Sequence, residues 1–324
     1  MKILILGGTK FVGRHTAELA VARGHDVTLF NRGHESEPEG VATIIGDRLA
    51  PGGYSGLDGL LFDAVIDTWS TDPVAVESAV DALRGRISNY VYVSSVSVYN
   101  FKEASAPYSE STPLFDPDKT EVQYIKDKVR GEQYASQSGV PAALVRPGVI
   151  LGPYEGIWRL PWWLQRIDRG GRTLAPGPKD LALQFIDARD LANFIVDAAE
   201  QKLHGPFNLV SERKHISMSD FLETANKVTG GHAQLRWLEP EKVSAAGIGA
   251  WVELPLWLTP DDDSVYEADI SKAAEAGMRI RTAKETIADT WACMKTLDEM
   301  PSNVRVGLDP DKEAAVLNKY FGTE

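Results

Sequence analysis

The sequence predicts an α/β protein with a doubly wound parallel sheet and a smaller C-terminal lobe. Short apolar runs alternate with amphipathic helical stretches through the first 150 residues, and beyond them the alternation weakens into segments rich in proline, glycine and tryptophan. Strands that alternate with helices favour a parallel sheet covered on both faces. We therefore expect one domain over residues 1–150, with segments near 182–210 returning to it, and a lobe formed mainly by 151–324.

The individual elements follow from the hydrophobic pattern. A strand over 2–6, a glycine turn, a helix over 12–23 and a strand over 26–30 form the first strand–helix–strand unit. The pattern repeats with strands at 43–45, 63–67, 90–94 and 142–146 and helices over 73–84 and 121–138. Later helices are expected near 157–168, 188–200, 217–228 and 282–297. Because ligands of open α/β sheets bind at the carboxyl ends of the strands, we expect the later lobe to cap that edge and to select the substrate.

The composition argues against several classes of protein. A formal net charge of −12 without a basic stripe disfavours nucleic acid as a partner. The six histidines are scattered without the spacing of metal ligands, and the single cysteine, Cys293, cannot form an internal disulfide. No apolar stretch approaches the roughly 20 residues of a membrane helix, and the start of the chain lacks the apolar region of a signal peptide. We expect a cytoplasmic protein with no metal site and no membrane partner.

The first strand leads into the turn Gly7-Gly8-Thr9-Lys10-Phe11-Val12-Gly13. This turn keeps the first and last glycines of the dinucleotide-binding pattern GxxGxxG and has a lysine at the middle position. Its place between a strand and a helix favours a pyrophosphate bound by amides at the helix N-terminus, as in a Rossmann domain. The residues expected to bind the cofactor here are Gly7, Thr9, Lys10, Phe11, Val12 and Gly13. The alternative is a strand-to-helix turn without a ligand.

The end of the second strand bears on the choice between NAD and NADP. A carboxylate at this point binds the ribose 2′-hydroxyl of NAD, but the strand ends in Asn31 and Arg32. Arg32 can pair with a 2′-phosphate and Lys10 adds positive charge, so NADP(H) is favoured over NAD(H), unless Arg32 is a solvated loop arginine. Further candidate cofactor contacts are Asp47 and Arg48 at the adenine edge and Thr68 and Trp69 at the middle of the cofactor.

A tyrosine and a lysine lie four residues apart in the helix predicted over 121–138. The spacing puts Tyr124 and Lys128 on one helix face, where the ammonium is expected to lower the pKa of the tyrosine. The same pattern arises by chance in amphipathic helices with a solvated lysine. Ser95 follows the strand over 90–94, four residues before Tyr99.

With these parts in this order, nearly the whole chain resembles the short-chain dehydrogenase/reductase superfamily, specifically its extended and atypical, epimerase/dehydratase-like members. The matching pieces are the GGTKFVG turn, Ser95, the YxxxK pair, RPGVILGP at 146–153 and FIDARDLA at 185–192. The resemblance implies that Ser95 and Tyr124 bind a substrate oxygen while Lys128 binds the nicotinamide ribose. It also implies a homodimer formed through the helices over 73–84 and 121–138, and it puts beside the nicotinamide Pro147, Gly148, Val149 and Ile150.

Two departures from the family bear on the reaction. Leu183 stands where related nucleotide-sugar enzymes have a phosphate-binding arginine, and Val96-Ser97 stand where dehydratases have an Asp-Glu pair. We therefore predict an NADPH-dependent reductase that transfers hydride to a carbonyl of a small, cyclic or aromatic, natural-product-type substrate. The alternatives are a sugar or nucleotide-sugar epimerase or dehydratase with bound NAD(P), and a non-catalytic NADP-responsive binding protein. Candidate substrate contacts, besides Ser95 and Tyr124, are the aromatic residues Tyr99, Tyr154, Trp158 and Trp162, which could equally form core.

Overall fold

The computed structural model describes residues 1–101, 103, 106–259, 263–297 and 304–323. The chain divides into two compact units. The first unit comprises residues 1–149, 188–210 and 268–280, and the second comprises 150–187, 211–267 and 281–324. The segment 268–280 thus joins the first unit, in addition to the part of 182–210 that returns to it. The function of each unit stays a prediction.

A seven-stranded sheet forms the centre of the first unit. Its strands are β1 (Lys2–Leu6), β2 (Asp26–Asn31), β3 (Ala42–Ile45), β4 (Ala64–Asp67), β5 (Tyr90–Val93), β6 (Ala142–Pro147) and β11 (Gly205–Leu209). They lie in the order β11-β6-β5-β4-β1-β2-β3, and every neighbouring pair is parallel. This is the doubly wound order, with its reversal between β1 and β4. The predicted fold class is confirmed.

The strands are buried because helices cover both faces of the sheet. The helices of this unit are α1 (Phe11–Ala22), α2 (Val74–Leu83), α3 (Gln123–Ser136), α5 (Ala188–Glu200) and α8 (Ser271–Glu275). All four residues of β4 and all four of β5 are buried, which a one-sided sheet would not allow. The helices predicted at 12–23, 73–84 and 121–138 are present, with ends shifted by one or two residues. Helix ends are the least certain part of any such pattern.

The second unit contains several small sheets and helices. Its strands are β7 (Val149–Leu151), which begins in the first unit, β8 (Gly171–Pro176), β9 (Ala182–Leu183), β10 (Phe185–Asp187), β12 (Ile216–Ser217) and β13 (Ala233–Leu238). Its helices are α4 (Arg159–Asp168), α6 (Met218–Thr229), α7 (Pro240–Ala245), α9 (Ala283–Met294) and α10 (Pro310–Phe321). The core includes the fully buried Trp163 and Trp257, whose indole N–H groups donate to the carbonyls of Pro255 and Gly177, each at 2.7 Å. Both rings therefore combine apolar burial with a satisfied donor.

The described residues contain neither a candidate membrane-spanning helix nor a candidate metal-binding group. Across the described ranges, no helix has both the length and the apolar character that a membrane crossing requires. The same part of the chain holds no group of three or more His, Cys, Asp or Glu side chains arranged to bind a metal ion.

Candidate nucleotide-binding and catalytic site

The glycine turn between β1 and α1 is shaped by close backbone contacts. Gly7 and Gly8 have φ of +112° and +94°, which strongly favours glycine. A Cβ on Gly7 would lie 2.6 Å from Thr68 Oγ1, and a Cβ on Gly13 would lie 2.9 Å from the backbone nitrogen of Gly8. The turn therefore leaves room only for glycines at these points, and the missing side chains open a cradle at the start of α1.

This cradle opens into a cavity of about 420 Å³ that lies wholly within the first unit. The cavity is lined by Leu6, Gly7, Gly8, Thr9, Lys10, Phe30, Asn31, Arg32, His34, Glu35, Gly46, Arg48, Thr68, Trp69, Ser70 and Thr71. Eight of the predicted cofactor residues are among them. The lining lacks the other ten, which are Phe11, Val12, Gly13, Asp47, Tyr124, Lys128, Pro147, Gly148, Val149 and Ile150. The sequence reasoning missed Gly8, His34 and Glu35 although each lies within three residues of a predicted contact.

The polar groups of the cavity fit a dinucleotide. Asn31 accepts the Gly33 N–H on its side-chain oxygen at 2.7 Å, while its buried side-chain nitrogen has no partner. Lys10 pairs with Glu35 at 2.7 Å, but both side chains are well exposed, at 71% and 46%. An exposed pair contributes little stability, so Lys10 can exchange this partner for a phosphate at small cost.

Arg48, a predicted adenine contact, is held in the cavity lining by its own hydrogen bonds. Its two amino nitrogens donate to the two carboxylate oxygens of Asp67, each at 2.7 Å, and its Nε donates to the Tyr54 hydroxyl at 2.8 Å. Arg48 is buried and also donates to the Ala75 carbonyl at 3.0 Å, so most of its five N–H donors are used within the protein. Its contact with adenine stays a prediction. Asp47 lies outside the cavity lining and accepts the Leu49 N–H at 3.0 Å, as a turn residue does.

Burial by itself would raise the pKa of Asp67, but the Arg48 guanidinium and the hydrogen bond from Tyr90 hold that pKa below its usual value. Asp67 also accepts the backbone N–H of Trp69 at 3.0 Å. The Trp69 indole donates to the Asp72 carbonyl at 2.7 Å, and the Arg48 guanidinium lies 4.9 Å from its ring centre. The Arg48–Asp67 ion pair thus helps to hold Trp69 in place in the cavity lining.

Lys128 connects this lining to the predicted reactive centre. Its ammonium donates to the carbonyl oxygens of Trp69 and Val93, at 2.7 and 2.6 Å, and lies 4.9 Å from the Tyr92 ring centre. The side chain is almost fully buried, and this burial lowers the pKa of Lys128 to about 7, against the opposing field of Asp67. Lysine has three N–H donors, so one remains for another acceptor.

Ser95 and Tyr124 are on different elements of the same unit. Ser95 caps the short 3₁₀ turn Val96–Val98, where its Oγ accepts the Ser97 N–H at 3.1 Å. This bond leaves the Ser95 hydroxyl hydrogen available to a ligand. Tyr124 lies in the first turn of α3, one turn before Lys128, and its side chain is 44% exposed. The catalytic roles of these residues stay predictions.

Tyr99 does not lie where the sequence reasoning placed it. The residue is completely buried, its hydroxyl donates to Asn208 Oδ1 at 2.6 Å, and the same oxygen accepts from Arg146 at 2.9 Å. Because both hydrogen-bonding functions of the hydroxyl are used inside the first unit, Tyr99 is a core residue and not a substrate contact.

The segment predicted beside the nicotinamide begins at the end of β6. Pro147 is the last residue of this strand, and Gly148 donates its N–H to the Leu209 carbonyl at 3.1 Å. A Cβ on Gly148 would lie 2.8 Å from a methyl group of Val210, so this backbone packs closely on its neighbour. Val149 and Ile150 follow in β7, each half-buried. Their contact with a cofactor stays a prediction.

Three predicted substrate contacts belong to the second unit. Tyr154 is half-exposed, but Trp158 and Trp162 are only 5% and 9% exposed. The Trp162 ring packs edge-on against Trp163, with 4.7 Å between ring centres. A Cβ on Gly307 would also clash with the Trp162 indole. Trp162 therefore belongs to the core of the second unit, which is the alternative that the sequence left open for the aromatic cluster.

Part of the chain matches the model of a known family. Residues 62–209, from just before β4 to the end of β11, match the model of the NAD dependent epimerase/dehydratase family. The predicted resemblance to epimerase/dehydratase-like short-chain dehydrogenases is thereby confirmed.

Several curated proteins are similar to the chain. A chloroplast stem-loop binding protein of 41 kDa from Arabidopsis thaliana is 28% identical over 71% of this chain and 63% of that protein. A UDP-glucose 4-epimerase from Corynebacterium glutamicum is 26% identical over 71% of this chain and 81% of that protein. A 2-alkyl-3-oxoalkanoate reductase from Stenotrophomonas maltophilia is 27% identical over 60% and 64%. The chain thus spans less than two thirds of the chloroplast and Stenotrophomonas relatives.

Solved structures show the same fold. The Bordetella bronchiseptica enzyme WbmH in complex with NAD⁺ aligns with a TM-score of 0.71 at 20% identity, over 92% of this chain and 99% of that one. A UDP-N-acetylglucosamine 4-epimerase from Bacillus cereus aligns with a TM-score of 0.70 at 19% identity, over 93% and 99%. The epimerase/dehydratase fold therefore extends over nearly the whole chain, beyond the segment that matches the family model.

Proposed function

We propose that this protein is a nicotinamide-dependent enzyme that interconverts a secondary alcohol and a carbonyl on a small-molecule substrate. The observation that carries the proposal is the connection between the cavity and α3: Trp69 lines the cavity, and its carbonyl oxygen accepts a hydrogen bond from the buried ammonium of Lys128 at 2.7 Å. One end of a nucleotide bound in the cavity would thus lie close to α3, the helix that carries Tyr124 and Lys128.

The chain's own residues supply the proton chemistry. When bound, a nicotinamide ring supplies a hydride acceptor or donor. Tyr124 gives a proton to the substrate oxygen or takes one from it, and Ser95 donates its free hydroxyl hydrogen to the same oxygen. Lys128 has one N–H left after its two carbonyl contacts, and this donor suits a ribose hydroxyl. With its pKa lowered by burial to about 7, Lys128 can also release or accept a proton near neutral pH.

The comparisons favour epimerase-type use of this chemistry, in which the hydride returns to the substrate and the cofactor is regenerated. Support comes from the family name and from the Corynebacterium relative, a UDP-glucose 4-epimerase. A nucleotide sugar is therefore the leading substrate class, ahead of the carbonyl of a natural product. The predicted NADPH-dependent reductase has less support than this alternative.

Net reduction is the second candidate. A 2-alkyl-3-oxoalkanoate reductase is among the similar proteins, and Leu183, which replaces the expected phosphate-binding arginine, is a buried apolar residue of β9. NADP(H) over NAD(H) remains part of this proposal and rests on Arg32, His34 and Lys10 in the cavity lining. Arg32 and Lys10 are cationic at neutral pH, and a 2′-phosphate needs cations there.

One experiment separates the two candidates. Purified protein is incubated with UDP-glucose or UDP-N-acetylglucosamine and a catalytic amount of NAD⁺, and with a 2-alkyl-3-oxoalkanoate and NADPH. Sugar isomers formed without net change in absorbance at 340 nm support the epimerase, and stoichiometric loss of NADPH with the ketone supports the reductase. If neither reaction occurs although calorimetry demonstrates cofactor binding, the proposed activity is contradicted.

A further inference from the structure

A buried polar junction in the first unit joins four segments of the chain. Arg146, on β6, donates two hydrogen bonds to Glu132 of α3, at 2.8 and 2.7 Å. The same guanidinium donates to the Tyr99 hydroxyl at 2.9 Å, and that hydroxyl donates to Asn208 of β11 at 2.6 Å. We call these four residues the Tyr99 junction.

Three of the four segments that meet at the junction carry part of the predicted reactive centre. Tyr99 ends the 3₁₀ turn that Ser95 begins. Glu132 lies one helical turn beyond Lys128 on α3, the helix that also carries Tyr124. Arg146 immediately precedes Pro147, where the segment predicted beside the nicotinamide starts. The junction is therefore the point where the backbones carrying these groups are tied together.

The four side chains are buried, and their hydrogen bonds are made. All four are 3% exposed or less. Asn208 also donates its backbone N–H to Glu110 at 2.8 Å and its amide nitrogen to the Asp269 carbonyl at 3.0 Å. Burial raises the pKa of Tyr99 to about 12, so the hydroxyl stays protonated and keeps donating. A buried network with satisfied members holds one geometry, because every alternative leaves a polar group unpaired.

We propose that Tyr99 is a positioning residue, whose hydroxyl couples α3 to the Ser95 turn and thereby sets the place of Ser95 relative to Tyr124 and Lys128. Val129 of α3 shares an apolar cluster with Val96 and Val98 of the Ser95 turn. Arg146 and Glu132 alone would tie α3 to β6, and the Tyr99 hydroxyl extends this polar network to the Ser95 turn. The expected effect on turnover rests on the proposed function, whereas the structural coupling between α3 and the Ser95 turn is independent of it.

The test compares two tyrosine variants of the full chain. Tyr99→Phe removes the junction hydroxyl without changing the ring, and it leaves Arg146 and Asn208 each short of a partner. Tyr266→Phe is the matched control, because Tyr266 is also buried and donates its hydroxyl, to the Leu256 carbonyl at 2.7 Å, but lies within the second unit. Hydrogen–deuterium exchange and turnover are measured on both variants and the parent, under conditions where all three are folded.

The expected result is that amides of residues 96–99 and 123–136 exchange at least ten times faster in Tyr99→Phe and at the parental rate in Tyr266→Phe. In Tyr99→Phe, kcat falls at least tenfold while the KM for the cofactor stays within a factor of two, because the cavity residues are untouched. Unchanged exchange overturns the coupling, and faster exchange with parental kcat overturns the positioning role. If the parent turns over neither substrate class, the proposed function fails while the exchange data still decide the coupling.

Discussion

The ammonium of Lys128 lies 2.7 Å from the carbonyl oxygen of Trp69, so a hydrogen bond joins helix α3 to a residue that lines the candidate nucleotide cavity. Because of this hydrogen bond, we expect the charge state of Lys128 to affect both cofactor binding and the stability of the fold.

The first prediction concerns the pH dependence of folding. Burial lowers the pKa of Lys128 from 10.5 to about 7, so between these pH values the unfolded chain binds the proton and the folded chain does not. Stability from this group therefore rises with pH over that window, by at most about 1.4 kcal/mol per pH unit, and the full penalty is present below pH 7. Denaturation in urea at pH 7, 8 and 9 should show a smaller rise for Lys128→Met than for the parent. Parallel curves would contradict the lowered pKa.

The second prediction concerns the glycine cradle. Gly7→Ala introduces a Cβ at φ +112° that would meet Thr68 Oγ1 at 2.6 Å, whereas Gly24→Ala introduces one at φ +81° with nothing within 4 Å. Both variants should lose roughly 1 kcal/mol or more from backbone strain. Only Gly7→Ala should also lose cofactor affinity, by tenfold or more, as measured by calorimetry. Equal affinity in the two variants would exclude the turn from the binding site.

The third prediction concerns cofactor choice. Arg32→Ala should weaken NADPH binding by roughly ten- to a hundredfold and leave NADH nearly unchanged, because a charged contact to the 2′-phosphate is lost. Glu35→Gln should act in the opposite direction, since it frees Lys10 from its 2.7 Å partner. The dissociation constants of both cofactors decide the matter. If Arg32→Ala weakens both cofactors equally, the assignment of NADP is wrong.

The fourth prediction concerns the buried ion pair beneath Trp69. Asp67→Asn removes the counter-charge of Arg48, whose guanidinium is about as buried as Asp67. An uncompensated buried charge costs about 3–5 kcal/mol, while replacing both partners by apolar residues is often close to neutral. Urea denaturation should therefore rank the double variant Arg48→Met/Asp67→Leu above Asp67→Asn. The reverse order would show that the carboxylate is not needed to compensate the charge.

The sequence was sufficient for six of the seven strands of the sheet and for half of the residues that line the cavity. The alternation of apolar strands with amphipathic helices predicts a doubly wound sheet, and the local motifs that single out Gly7 and Arg32 point to residues that line the cavity. These predictions succeeded because they depend on neighbours along the chain.

Roles that depend on distant partners were not accessible in the same way. Arg48 sits directly after a strand, like a ligand contact, but Asp67, nineteen residues later, takes its guanidinium. Tyr99 is committed to Asn208, 109 residues away. The local sequence around an aromatic or cationic side chain near a strand end is compatible with a ligand contact and with a structural residue alike. Only the packing of elements distant in sequence distinguishes the two roles.

In the proposed mechanism, Tyr124 exchanges a proton with the substrate oxygen beside a bound nicotinamide. The decisive measurement is the turnover of Tyr124→Phe in the reaction that the parent catalyses, together with the variant's dissociation constant for the cofactor. We predict that kcat falls by at least a hundredfold with cofactor affinity within a factor of two of the parent. Near-parental kcat with unchanged cofactor binding would contradict the claim.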